Sequence, residues 1–576
     1  MISYRVDLAD PHAHQYRVTL TLPAPAAEQA LSLPVWIPGS YMVREFGRHL
    51  SGLQARQGQR PVDLEQVDKT RWLARCSGRA ALTLSYFVYA FDTSVRTAFL
   101  DARRGFFNGT SLFLRAEGRE AEAQRVTLGS LPEGWQVATG MRAIGPRSFE
   151  AADYDELVDH PFELGRFWRG SFHAGGVPHE FVVAGAWPGF DGQRLLKDTQ
   201  RICEQQIRFW HAEAGTKPPF ERYVFLLNAV DEGYGGLEHR ASTALISTRR
   251  DLPRERMEGL SDGYATLLGL ISHEYFHTWN VKRLKPAEFA RYDYTQENYT
   301  RLLWFFEGFT SYYDDLMLLR AGLIDTSRYL KLLGKAMNAV AATPGRQVQS
   351  VAESSFDAWV KYYRADENTP NATVSYYLKG SLVALALDLR LRERGASLDA
   401  VMRLLWQRSD GGPVSEADIA AALKQVGGRA FAAELQAWVH GTEELPLQEL
   451  LAGVGVQPRN ERAGFAASLG LRLSEGPVTG VQVKSVLAGS AAAEAGVSAG
   501  DELLAIDGWR VRRFEDALGW IDRHQPFDLL LVRDQRVTTL RLVPDKDTPL
   551  AQTLALQLID KPARAVMARR RAWLDG

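Results

Sequence analysis

Cysteine is almost missing from this chain: Cys76 and Cys203 are the only two in 576 residues. Two thiols exclude a disulfide framework and a cysteine-rich zinc module. No stretch approaches ~18 uninterrupted apolar residues, so no membrane span is expected. Neither charge is in excess, since 68 Lys+Arg stand against 69 Asp+Glu for a formal net charge of −1. That balance gives no support to nucleic-acid binding by broad phosphate neutralisation, and no nucleic-acid partner is expected. Internal repeats and low-complexity tracts are missing too. The N-terminus, MISYRVDLADPHAHQYRVTL, lacks a basic segment followed by an apolar one, so it does not read as a signal peptide. The expected location is cytoplasmic.

What is present is a globular composition, 45% hydrophobic and 24% charged. At roughly 150 residues per domain the length predicts a multidomain protein, here of α+β class. Residues 1–165 are β-rich, with YRVTLTL (Tyr16–Leu22), LTLSYFVYAF (Leu82–Phe91) and SLFLR (Ser111–Arg115) as strands between Gly, Pro and Asp clusters. Period-2 runs at this spacing predict an N-terminal β-sandwich. One piece, WIPGSYMVREF (Trp36–Phe46), breaks the pattern. Its Pro38-Gly39 turn flanked by aromatics is either a packed turn or a loop reaching into a neighbouring site.

Residues 166–454 form a second part, α/β and then helical. An amphipathic helix is expected at Leu195–Ala214 and buried strands at Arg222–Val230 and Ser242–Ser247. Helices follow at about 261–281, 297–320, 325–342, 374–394 and 398–407. Residues 455–545 return to short strands and glycines, and 546–576 are a tail with a short basic helix, PARAVMARRRAW, whose arginines read as solvated.

The strongest chemical signal is His273-Glu274-Tyr275-Phe276-His277, an H-E-x-x-H pattern. With 12 histidines in the chain, composition produces such a window roughly 0.015 times. On a helix the two imidazoles share a face and are placed to bind one Zn²⁺, with Glu274 beside the metal to take a proton from water. A third ligand is needed, and Glu307 lies thirty residues on, flanked by Phe305, Phe306 and Phe309. A carboxylate in so apolar a stretch is costly to bury unless something like a metal offsets it. Asp314 and Asp315 are candidates to orient a ligating histidine.

H-E-x-x-H followed by a distant E-G-F resembles the gluzincin metallopeptidases, and HEYFHTWNVKRLKP (His273–Pro286) resembles peptidase family M61, the glycyl aminopeptidase family. WIPGSYMVREF, GFFNGTSLFLR (Gly105–Arg115) and SYYLKG (Ser375–Gly380) fit the same family, in family-like order along the chain. The resemblance implies a thermolysin-like catalytic domain with one zinc per chain, held by His273, His277 and Glu307, with Glu274 as general base. It implies an oxyanion-stabilising Tyr377 in Tyr377-Leu378-Lys379-Gly380, the adjacent Tyr376 being an open alternative. It also implies that Glu238, in Gly235-Gly236-Leu237-Glu238-His239, binds the α-amine of a peptide with a free N-terminus. That match is partial, because Leu237 and His239 stand where relatives have Met and Asn.

Near the C-terminus, SVLAGSAAAEAGVSAGDELLAIDG (Ser485–Gly508) resembles a bacterial PDZ domain. Leu469-Gly470-Leu471 would be its carboxylate-binding loop and Phe514–Ile521 its groove helix, with a C-terminal peptide as ligand. The expected activity is removal of small N-terminal residues, Gly or Ala, by zinc-activated water. The alternatives are an endopeptidase with PDZ-recruited substrates and a non-catalytic PDZ adaptor.

Overall fold

The structure, a computed structural model, describes residues 1–212, 217–545 and 547–576. The expected helix end at Ala214 and the expected tail start at residue 546 lie outside the described residues. The chain forms two compact units. One comprises Met1–Tyr299, Arg320–Leu323 and Met402–Ser415; the other comprises Thr300–Leu319, Ile324–Val401 and Glu416–Gly576.

The first unit opens on the expected β-rich part, an eight-stranded sheet with two four-stranded sheets. Gln15–Leu22 lies inside the large sheet and buries Tyr16, Val18, Leu20 and Leu22, the alternation of a strand with one covered face. The expected strand Ser111–Arg115 is instead a short helix, Gly109–Leu112, followed by the two-residue strand Arg115–Ala116. Leu112, Phe113 and Leu114 are all buried, so no alternation selects a face. Hydroxyls replace a ladder there. Tyr86 donates to the Leu112 carbonyl at 2.7 Å, Tyr154 to Phe113 at 2.7 Å and Tyr4 to Leu114 at 2.9 Å.

A five-stranded sheet follows, in the order Trp168–Ala174, Val177–Ala184, Tyr223–Val230, Ser242–Thr248, Gly235–Glu238. Tyr223–Val230 runs parallel to both its neighbours and is buried from Tyr223 through Ala229, as a strand covered on both faces must be. After Val230 the chain doubles back, so that Gly235–Glu238 pairs antiparallel with Ser242–Thr248, Gly235 opposite Ile246 and Glu238 opposite Thr243. The segment GGLEH, which precedes an expected strand, therefore contributes a strand of its own at the sheet's edge. The H-E-x-x-H helix is Asp262–Phe276, started by Ser261, whose hydroxyl accepts from the Tyr264 N–H.

The second unit is helical, then β. Leu303–Arg320 and Leu378–Arg392 cross where two glycines meet: a Cβ on Gly308 would stand 2.6 Å from the backbone of Gly380. The PDZ-like sheet runs Leu471–Gly476, Gly480–Val486, Glu502–Ile506, Phe527–Arg533, Arg536–Leu542. Its expected groove helix is a shorter 3-10 helix, Phe514–Gly519, ending at a glycine.

The C-terminal residues do not hang free. Gln552–Leu558 pairs antiparallel with Val456–Arg462, and Asn338 bonds both backbone groups of Leu554. The helix Arg564–Leu574 inserts Trp573, which is fully buried and donates its indole N–H to the Tyr312 hydroxyl at 3.0 Å. Arg569 and Arg570, expected as solvated, donate to the carbonyls of Gly453 and Gly455 where a helix ends. Among the described residues no helix is long and apolar enough to cross a membrane.

Candidate metal centre and the strand beside it

His273 lies in the last turn of the helix Asp262–Phe276 and His277 caps it, with their Nε2 atoms 3.0 Å apart. His277 Nδ1 lies 2.8 Å from the Asn280 carbonyl. A carbonyl only accepts, so the proton sits on Nδ1 and Nε2 keeps its lone pair. Ligand atoms of His273, His277 and Glu307 all lie within 4.8 Å of one another, and no other such group occurs among the described residues. Glu307 is 2% exposed, in a helix whose Trp304, Phe305, Phe306 and Phe309 are buried as well. Two imidazole nitrogens and one carboxylate are a donor set that fits zinc with a position left for water. The Asn280 backbone carbonyl orients His277.

Glu274, 5% exposed, rests on the edge strand: a Cβ at Gly236 would lie 2.2 Å from its Oε1. Two residues along the same strand is Glu238, 4% exposed. The Pro38-Gly39 turn closes over it. Gly39 has φ +91°, and a Cβ there would meet both Glu238 carboxylate oxygens at 2.5 Å. Trp36, fully buried, holds the turn by donating to the Asp293 carbonyl at 2.8 Å. The turn is packed, with Trp36, Ile37 and Tyr41 buried, and it also reaches Glu238, so the geometry is compatible with both readings of WIPGSYMVREF.

Behind Glu238 is a buried knot that sequence reasoning missed. Asp159 accepts from Lys282 Nζ at 2.7 Å, from the Arg240 backbone N–H at 3.0 Å and from His239 Nδ1 at 3.2 Å. Burial alone would push the Asp159 carboxyl up, but Lys282, His239 and Arg240 outweigh it and hold the group well below the usual carboxylate range. Arg283 donates to the carbonyls of Arg240, Thr278 and Pro219. The string after H-E-x-x-H thus ties the helix end to the turn that follows Glu238. Lys285, next along, is brought down to about 8 by burial and by Lys282 and Arg240.

Tyr377 directly precedes the helix Leu378–Arg392. Its hydroxyl is 3.5 Å from that of Tyr363, and its ring stacks on Tyr362 and Tyr376 at 5.4 and 4.7 Å. Burial, and then the Glu307 carboxylate, push its phenol well above the usual range, so it stays protonated as a donor. Tyr376 is fully buried, whereas Tyr377 keeps some exposed surface.

In the PDZ-like part, the Leu469 N–H points at the carbonyls of Phe465 and Ala466, and the Gly470 N–H at that of Ala467. Two of the three N–H groups assigned to a peptide carboxylate are therefore engaged by the turn before them. Glu515, on the groove helix, accepts from the backbone N–H groups of Phe465 and Ala466.

Three family models match the chain. These are the Peptidase M61 N-terminal domain over residues 3–166, the M61 glycyl aminopeptidase over 266–383 and a PDZ domain over 482–533. Among solved structures, an aminopeptidase N family protein from Idiomarina loihiensis is 37% identical, with a TM-score of 0.93 over 100% of both chains. An M1 zinc metallopeptidase from Deinococcus radiodurans is 17% identical, with a TM-score of 0.46 over 77% of this chain and 94% of that one. A search of the curated proteins finds no match.

Proposed function

Because this chain belongs to the M61 glycyl aminopeptidase family of peptidases, we propose that it is a zinc-dependent aminopeptidase that removes small N-terminal residues, Gly or Ala, from peptides. The observation that carries the reading is the order on one edge strand. Glu238 is followed, two residues back, by Gly236 with the Glu274 carboxylate against it. An ammonium paired with Glu238 leaves the first peptide bond as the one nearest Glu274. The Pro38-Gly39 turn pressed on Glu238 favours a small first side chain.

His273, His277 and Glu307 would hold one zinc, which when bound supplies Lewis acidity towards a carbonyl and a water. Glu274 takes a proton from the attacking water and delivers it to the leaving amine. The protonated Tyr377 hydroxyl donates to the developing oxyanion. Glu238 binds the α-amine and so sets the cut one residue in.

The test compares free and N-acetylated peptides on wild type and Glu238→Gln. Acetylated peptides are expected to be poor substrates of the wild type. The substitution is expected to lower kcat/KM for free peptides by about 2–4 kcal/mol, the scale for losing a charge-assisted pair, and to change the acetylated ones much less. Equal cleavage of both by the wild type would establish an endopeptidase instead.

A further inference from the structure

Arg96 lies against the same edge strand, and the chemistry above does not use it. Its Nη2 reaches the Gly236 carbonyl only at 3.4 Å, and Nη1 stands 3.7 Å from where a Cβ on Gly235 would be. Its Nε is enclosed with no hydrogen-bond partner. The side chain is half-buried, and no carboxylate among the described residues pairs with it. A guanidinium offers five donors in a planar fork matched to a carboxylate, and holding it half out of water with one long contact is costly.

We propose that Arg96 binds a carboxylate of the peptide substrate downstream of the cleaved bond, which favours substrates that carry one at the third position. The inference rests on the reading of Glu238 as the amine anchor. Along the strand the order is Glu238, then Gly236 with Glu274 on it, then Gly235 with Arg96 beside it. Amine anchor, proton carrier and cation therefore follow one another in the direction in which a bound peptide runs from its N-terminus to its C-terminus. The three steps from Glu238 to Gly235 cover about 10 Å at roughly 3.3 Å per residue, the reach of an extended tripeptide. A carboxylate arrives at that distance from two sources, the C-terminus of a tripeptide or an acidic side chain at the third position of a longer one.

The experiment uses the zinc-loaded full-length protein and three peptides: Ala-Ala-Ala, its C-terminal amide, and Ala-Ala-Glu as the amide. The free tripeptide is expected to exceed its amide in kcat/KM by about tenfold or more, mainly through KM, the scale of a hydrogen-bonded charge. Arg96→Gln should bring that ratio close to one, and Arg96→Lys should keep part of it. Ala-Ala-Glu amide matching the free tripeptide supports the proposal with either carboxylate as ligand; matching the plain amide restricts the ligand to the chain terminus. A wild-type ratio near one overturns the proposal, as does Arg96→Gln slowing all three peptides equally. Glu238→Gln run alongside separates the two readings. If it leaves the preference for free amines intact while Arg96→Gln still erases the carboxylate preference, the amine anchor is elsewhere and the carboxylate site stands.

Discussion

Replacing Gly236 by alanine separates catalysis from folding by one methyl group. The added Cβ would sit 2.2 Å from Glu274 Oε1 and 2.4 Å from its carboxyl carbon. Nonbonded carbon contacts settle at about 3.5 Å, so the carboxylate must retreat by roughly 1 Å. The strand itself tolerates the change, since Gly236 has no left-handed φ and alanine limits the unfolded chain. A misplacement of about 1 Å in a reacting group costs about 10²-fold, or roughly 2.7 kcal/mol of barrier. Steady-state kinetics on an aminoacyl anilide should show kcat lower by about that factor. Melting temperature and zinc content should stay at or above wild type. In a Glu274→Gln background the same change should add little, because both act on one proton transfer. A Gly236→Ala protein with undiminished kcat would refute the placement of Glu274 against this strand as a feature of catalysis.

Trp573→Ala should cost about 3–5 kcal/mol in urea unfolding, and truncation before residue 455 should give protein that does not fold; a soluble, active truncation would contradict the packing of the C-terminal helix. Asp159→Asn leaves buried Lys282 without its anion and should destabilise by about 3–5 kcal/mol, with KM for free-amine peptides rising as the turn after Glu238 loosens; an unchanged KM would detach the knot from the amine anchor proposed at Glu238. His179 is brought down to about 4 by burial, while its Nε2 meets the Tyr275 hydroxyl at 2.8 Å. The unfolded chain takes the proton first, so stability should be level above about pH 6.5 and fall by about 3 kcal/mol towards pH 4, a decline that His179→Phe should flatten.

The residues proposed to carry chemistry were legible wherever a local period encodes geometry. His273 and His277 share a face because they are four apart on a helix, and Glu307 stood out because its neighbours in sequence are also its buried neighbours in space. Tyr16–Leu22 was legible because only one face of that strand is covered. Ser111–Arg115 was not, because three hydroxyls from Tyr4, Tyr86 and Tyr154, distant in sequence, satisfy its backbone. Asp159 and Arg96 were unreadable for the same reason: each matters through what stands beside it, Lys282 in one case and Gly235–Gly236 in the other. The signal available for Gly39 was its place in a rigid Pro-Gly turn between aromatics. The C-terminal helix looked like a solvated basic tail because its four arginines outweigh, in composition, the single Trp573 that anchors it.

The most direct test of the central claim is a zinc titration of metal-free protein, read by hydrolysis of a free-amine alanyl anilide. Turnover should be lost in the verified metal-free protein and rise with added Zn²⁺ to a plateau at one equivalent per chain, the capacity of His273, His277 and Glu307. Full turnover in the metal-free protein would contradict the account.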